Sequence, residues 1–267
     1  MSRRSNNSAT KKANWKYNLI WTVITIVVIG VLFAAIQRKQ NATITKVKIA
    51  LLGIEGNRDL MSVKGVKQMF RNYLGYDLEM AAIRDLDLRD LEELLEADER
   101  VKNAEVFVDK NDVLYFQIYQ REPIVRVINR DKTSFYLDKE GNSIPAIKGS
   151  TIRVPLASGN IENYDKKLLE NAKQSKLKDV FTMAKYINED DFLRALIEQI
   201  DIDQEGEITL IPKLGRMKLE FGKAEDLDDR FEKLKIMYKD GLPKLGWRKY
   251  DKLVLKYEGQ VNGSINK

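Results

Sequence analysis

The stretch Asp201-Ile202-Asp203-Gln204-Glu205-Gly206 has the D-x-D-x-x-G form with which a calcium loop begins. Such a loop needs a bidentate glutamate at its twelfth position, which here is Pro212, so the stretch reads as a solvated hairpin turn. The carboxylates at Asp109–Asp112 and Asp138–Glu140 have turn compositions too. Asp98-Glu99 and Glu189-Asp190-Asp191 read as helix-end charges, because adjacent residues on a helix point in different directions and do not form an acid/base pair. Histidine and cysteine are absent, which removes imidazole bases, imidazole and thiolate metal ligands, thiol nucleophiles and disulfides. There is no G-x-S-x-G, P-loop or G-x-G-x-x-G motif. No catalytic residue, cofactor site or metal site is expected, and no small-molecule substrate. The aromatic residues Trp247, Tyr250 and Tyr257 read either as core or as binding surface beside a terminal strand.

Composition points the same way. With 43% hydrophobic and 32% charged residues, the 267-residue chain can bury a core without staples. Its net charge of +6 would suggest nucleic acid if it lay on the folded part. However, Arg3, Arg4, Lys11, Lys12 and Lys16 stand in residues 1–18 with no acidic residue among them, which leaves the rest nearly neutral. Nucleic-acid binding is therefore not expected.

The elements that would position any site begin with an anchor. Residues 19–36, LIWTVITIVVIGVLFAAI, carry no charge and as a helix would be about 27 Å long, enough to span the bilayer core. Trp15, Tyr17 and Trp21 suit one headgroup layer, and Arg38 and Lys39 close the other end. A cleaved signal peptide would end in small residues spaced A-x-A, and Phe33-Ala34-Ala35-Ile36-Gln37 does not. The acid-free basic tail, residues 1–18, is expected on the cytoplasmic side. Arg38, Lys39, Lys46 and Lys48 make the bias small, but a long folded domain is translocated largely regardless of its charge.

After a polar link over residues 37–45, the patterning predicts a strand at 47–52, a turn region at Gly53/Gly56, a helix from Ser62 to Gly75, a helix opened by Asp87, and a hairpin of 101–108 with 113–119. Two helices on one face of three strands make a β-α-α-β-β unit. Beyond Pro123 short strands follow at 124–128, 134–137, 143–147 and 153–156. Next come a helix through Leu177–Ile187, a hairpin of 197–202 with 207–211, and a strand at 217–221. A helix from Asp226 with a left-handed end at Gly241 and a last strand at 253–257 complete the reading. The fold class is α+β: one transmembrane helix, a compact β-α-α-β-β domain and a second, strand-rich mixed domain.

Several short motifs fall in order along this frame: Arg121-Glu122-Pro123 at the junction, Tyr136-Leu137-Asp138-x-x-Gly141 with Ile144-Pro145 after it, the run Phe192-Leu193-Arg194-Ala195-Leu196-Ile197-Glu198-Gln199-Ile200, and Lys256-Tyr257. With the basic tail, anchor and two-domain order, the chain resembles the FtsQ/DivIB cell-division family from residue 15 to about residue 261. The resemblance implies a POTRA-like module over 46–123, a β domain over 124–261 and a polar tail over 262–267. It also implies a non-enzymatic divisome scaffold in the cytoplasmic (inner) membrane, at the septum, held in the lipid bilayer through residues 19–36. FtsB- and FtsL-type single-pass proteins are the implied partners. In the family FtsB adds a strand beside the terminal strand, here around Lys256, Tyr257, Glu258, Gly259, Gln260 and Val261, with Trp247 and Tyr250 nearby. An edge strand exposes main-chain donors and acceptors that suit such pairing, although the tail Asn262–Lys267 could instead protect that edge. Two other functions compete. A POTRA-bearing periplasmic adaptor or chaperone for envelope proteins would carry tandem modules or a barrel. A cell-wall enzyme would need an acid/base site built from carboxylates, Lys, Ser and Tyr.

Overall fold

The computed structural model describes residues 8–40, 43–53, 59–146, 152–170 and 174–265. Contacts divide the chain into two compact units, residues 1–50, 63–93 and 105–117, and residues 51–62, 94–104 and 118–267.

The first unit opens with α1 (Ser8–Gln40), whose window Tyr17–Ala34 has a mean hydropathy of 2.2 and is not buried against protein. Thr22 Oγ1 donates to the Asn18 carbonyl at 2.8 Å and Thr25 Oγ1 to the Trp21 carbonyl at 2.9 Å. Hydroxyls in a helix suited to hydrocarbon thus turn back onto their own backbone. The helix runs through Gln40, past the start of the expected link, and the Thr45 N–H donates to Asp112 O at 2.9 Å.

The predicted β-α-α-β-β order is present as β1 (Lys46–Leu52), α2 (Val63–Leu74), α3 (Leu88–Glu96), β2 (Val101–Val108) and β3 (Val113–Gln120), with the strands arranged β1-β3-β2. Asp87 caps α3, its Oδ1 accepting the Arg89 N–H at 3.0 Å and the Asp90 N–H at 3.3 Å. α2 buries Val66 and Phe70, and the Phe70 ring lies 4.7 Å from that of Phe116 on β3. Two 3₁₀ turns, Leu78–Met80 and Ile83–Asp85, connect the helices; three residues leave no periodicity to read. At the tip of the β2–β3 hairpin the Asp109 carboxylate accepts the N–H of Val113 at 3.0 Å and of Asn111 at 2.8 Å, which holds its pKa below the ordinary carboxylate value.

In the second unit Gln120 is buried, taking the Leu60 and Met61 N–H groups on Oε1 at 2.7 and 3.2 Å. The chain continues through β4 (Pro123–Ile128), β5 (Ser134–Asp138), β6 (Ser143–Pro145), β7 (Leu156–Gly159), α4 (Lys166–Glu170), α5 (Lys176–Glu189) and α6 (Asp191–Leu196). It then forms β8 (Ile197–Ile202), β9 (Ile208–Pro212), β10 (Lys218–Gly222), α7 (Leu227–Ile236), α8 (Leu242–Leu245), β11 (Lys252–Val254) and β12 (Asn262–Ser264). Nine strands make one mixed sheet in the order β12-β11-β10-β9-β8-β7-β4-β5-β6, with β4/β7, β7/β8 and β10/β11 parallel.

Some elements depart from the sequence reading. The strand expected over 153–156 lies at 156–159, because a central strand paired on both sides has no place for Pro155, which lacks an N–H. Gly241 does not end a helix. Its φ is −82°, and the chain passes through a π turn at Met237–Gly241 into α8, where Pro243 sits in the first turn, and stops at Gly246 instead. The strand predicted to reach Ile147 is described through Pro145, and Gly56 and Ile147 lie outside the described residues.

One face of the large sheet carries the core. Ala157, Ile200, Ile202, Leu210, Leu219 and Phe221 meet Leu177, Val180, Met183, Ala184 and Ile187 of α5 and Phe231 and Leu234 of α7, all fully buried. Each such Leu, Ile, Val, Met or Phe side chain contributes about 1.5–3 kcal/mol over its exposed state. Tyr186 stacks on Phe231 at 4.9 Å, and Phe231 meets Phe221 at 4.8 Å. On β7 and β8 the residues that alternate with this core include polar ones, as expected where that part of the sheet meets water. Ser158, Gln199 and Asp201 form a hydrogen-bonded set there, with Ser158 Oγ to Asp201 Oδ1 at 2.7 Å.

Candidate functional site at the terminal sheet edge

The large sheet ends at β12, and the site is built from β10 outward. Leu219 and Leu253 pair in parallel register, and the Leu255 N–H extends the ladder to Glu220 O at 2.8 Å. Leu253 and, just past the strand, Leu255 are fully buried, so β11 is fixed by side chains as well as by its backbone. On the polar face Lys252 Nζ lies 2.7 Å from Glu220 Oε1. Here Asp201, Thr209, Glu220, Asp251, Lys252 and Ser264 line an open polar concavity of about 680 Å³.

β11 is three residues long and ends at Val254, not at Tyr257. Lys256–Val261, expected beside an edge strand, form the turn that brings the chain back as β12, paired antiparallel as Lys252↔Ser264, Leu253↔Gly263 and Val254↔Asn262. The strand is short because the paired part of β10 reaches only from Lys218 to Glu220. Within the turn Lys256, Glu258, Gly259 and Gln260 are exposed, and Val261 rests partly buried on the core. Lys256 Nζ lies 3.7 Å from Glu207 Oε2 and 5.9 Å from the Tyr257 ring centre. Tyr257 is 48% exposed, while its carbonyl accepts from Lys233 Nζ at 2.6 Å.

Trp247 and Tyr250 are half-buried against the core, and Trp247 meets Tyr238 edge-on at 5.7 Å. Tyr250 reaches β12: a side chain built on Gly263 would place its Cβ 2.4 Å from Tyr250 Cδ1. With the ring in this position the backbone leaves no room for a side chain on residue 263. The structure thus brings Trp247, Tyr250 and Val261 to the terminal edge of the core. Asn262, Gly263 and Ser264 form the outermost strand; the sequence signal for them is that the tail could cover the edge. The arrangement offers main-chain pairing and aromatic surface. Among the described residues no three acidic side chains gather as a metal site.

A long apolar helix followed by an α+β portion that ends in a large mixed sheet defines a candidate single-pass anchored protein. Residues 122–263, from the start of β4 into β12, match the family described as FtsQ/DivIB, C-terminal related. The match covers more than half of the chain, and the chain belongs to that family, one of non-enzymatic cell-division proteins. This bears out the resemblance carried by the sequence motifs. No curated protein sequence matches the chain.

Proposed function

We propose that the chain is a non-enzymatic scaffold of the division complex. Residues 1–18 lie in the cytoplasm, residues 19–36 cross the cytoplasmic membrane, and the folded part works on its outer face at the septum. In this reading residues 46–123 are a POTRA-like recruitment module, and residues 124–261 bind FtsB- and FtsL-type single-pass partners. The partner adds an extended segment at the terminal edge, next to Lys256–Val261, Trp247 and Tyr250. The observation that supports it is the end of the large sheet: a three-residue strand, exposed throughout, at the last position of the strand order. Such an edge supplies main-chain donors and acceptors to an incoming strand, and alternate side chains give specificity.

Capture tests the reading. The full-length chain in detergent, co-expressed with the FtsB-type protein of its host, is expected to retain that partner. Tyr257→Glu and Val261→Lys are expected to weaken retention while leaving the circular-dichroism spectrum unchanged. Undiminished capture by both folded variants excludes the terminal edge as the contact.

A further inference from the structure

We propose that β12 is a displaceable strand: it occupies the edge of β11 until an extended segment of a partner chain takes its place, and an apolar side chain of that segment enters the position where Gly263 now lies under the Tyr250 ring. The proposal rests on the terminal-edge reading above and adds how the edge is opened.

The two outer strands are held very differently. Leu253 in β11 and Leu255 just past its end are fully buried, whereas Asn262, Gly263 and Ser264 are all exposed and contribute no buried side chain. Asparagine and glycine are also poor strand residues, and three residues are at the short limit of strand length. β12 is therefore held by its main-chain bonds, such as Asp251 N–H to Ser264 O at 3.0 Å. An incoming backbone can make the same bonds.

The core side of β12 is unfinished in the same sense. Gly263 pairs with Leu253, and the place of its missing side chain is filled by the Tyr250 ring, with Cδ1, Cε1 and Cγ at 2.4, 2.5 and 3.1 Å from a notional Cβ. Tyr250 belongs to the segment between α8 and β11 and is only half-buried, so rotation about its χ1 would clear the position. A strand carrying a valine or leucine there would place an apolar side chain on the register partner of the buried Leu253, a gain that Gly263 cannot supply. A segment added outside β12 would pair with Asn-Gly-Ser, which offers it no apolar side chain to pack against.

A reversible lock separates displacement from simple addition. The chain has no cysteine, so Lys252→Cys with Ser264→Cys gives one disulfide between register partners of β11 and β12. The full-length locked chain in nanodiscs is tested against the FtsB-type protein proposed above. Displacement predicts that capture is lost when oxidised and restored by reductant, with the wild-type chain indifferent to both. Equal capture in both redox states overturns it. Deletion of residues 262–267 is the second variant. Removing the competitor is expected to tighten capture about tenfold, the equivalent of one to two net main-chain hydrogen bonds. Weakened capture by this truncation means that the partner pairs with β12 itself, which overturns displacement and keeps the terminal-edge reading. Failure of wild type, truncation and reduced double-cysteine chain alike to capture the partner removes the terminal-edge reading, and displacement with it.

Discussion

Arg121 Nη1 lies 2.9 Å from Asp138 Oδ2, which joins two of the motifs that carried the family resemblance. The Asp138 side chain is 1% exposed, and its oxygens also accept the N–H of Glu140 at 3.0 Å, the N–H of Asn142 at 2.7 Å and the Asn142 side-chain amide at 2.9 Å. A carboxylate buried this completely needs every partner. Arg121→Ala is expected to destabilise the second unit by on the order of 3 kcal/mol, because it leaves the charge without its cation. Asp138→Asn is expected to cost less, since the amide oxygen can still accept. Urea unfolding measures both, and an Arg121→Ala loss below about 1 kcal/mol, the value of an exposed pair, would show that the bridge is not a structural clamp.

At the centre of the large sheet the chain depends on a missing side chain. Gly159 ends β7 with φ +110°, and a Cβ placed there would stand 2.0 Å from the Ile202 carbonyl oxygen on β8. Both the backbone angle and the space exclude any other residue. Gly159→Ala is expected to force β7 and β8 apart at one end, at a cost of a few kcal/mol or more, and to raise hydrogen exchange at Asn160, whose N–H bonds Ile202 O at 2.8 Å. A stable Gly159→Ala chain with unchanged exchange would contradict this close approach.

The elements were legible where the residues themselves set the local structure. Ser62, Asp87 and Gly75 bracket α2 and α3 in the sequence as they do in the fold, and the apolar run of α1 needs no tertiary context. Legibility ended where tertiary pairing decides. Gly241 followed by Pro243 has the look of a helix stop, yet the chain coils through both. β7 is fixed by its two neighbours and not by its own pattern Leu-Ala-Ser-Gly. The terminal edge shows the same division. Trp247 and Tyr250 stand out as aromatic residues, but Asn262-Gly263-Ser264 carries no apolar residue and reads as tail, and only its backbone pairing with β11 and the ring over Gly263 mark it as part of the sheet.

Two tyrosines predict the alkaline limit of the second unit. Burial raises the Tyr238 hydroxyl from its ordinary value of 10.0 to about 12, and the hydroxyl donates to Leu214 O at 3.0 Å. Tyr186 also moves to about 12, first through burial and then through its hydrogen bond to Asp228 at 2.7 Å. The unfolded chain ionises these groups near pH 10.0, whereas the folded chain resists until about 12. Their contribution is therefore complete below pH 10 and is lost as pH rises towards 12. Thermal unfolding across that window is expected to show a falling midpoint, with a shallower fall in Tyr186→Phe and Tyr238→Phe. An unchanged slope in both variants would assign the decline to other groups.

The small sheet closes one of its edges with side chains. Glu92 Oε1 on α3 accepts the N–H of Val106 at 2.7 Å, and Glu96 Oε1 accepts that of Ala104 at 3.1 Å. β2 stands last in the order β1-β3-β2, so these N–H groups are ones an edge strand would otherwise offer to another chain. A carboxylate on each of two alternate donors blocks that pairing without another strand. Glu92→Ala is expected to cost about 1 kcal/mol and to permit self-association through β2, seen as a concentration-dependent rise in sedimentation coefficient. Glu92→Gln keeps the acceptor and is expected to stay at the parent's oligomeric state, which separates loss of the bond from loss of charge. If Glu92→Ala sediments like the parent at every concentration, the carboxylate contributes to stability alone and the edge of β2 is guarded by something else.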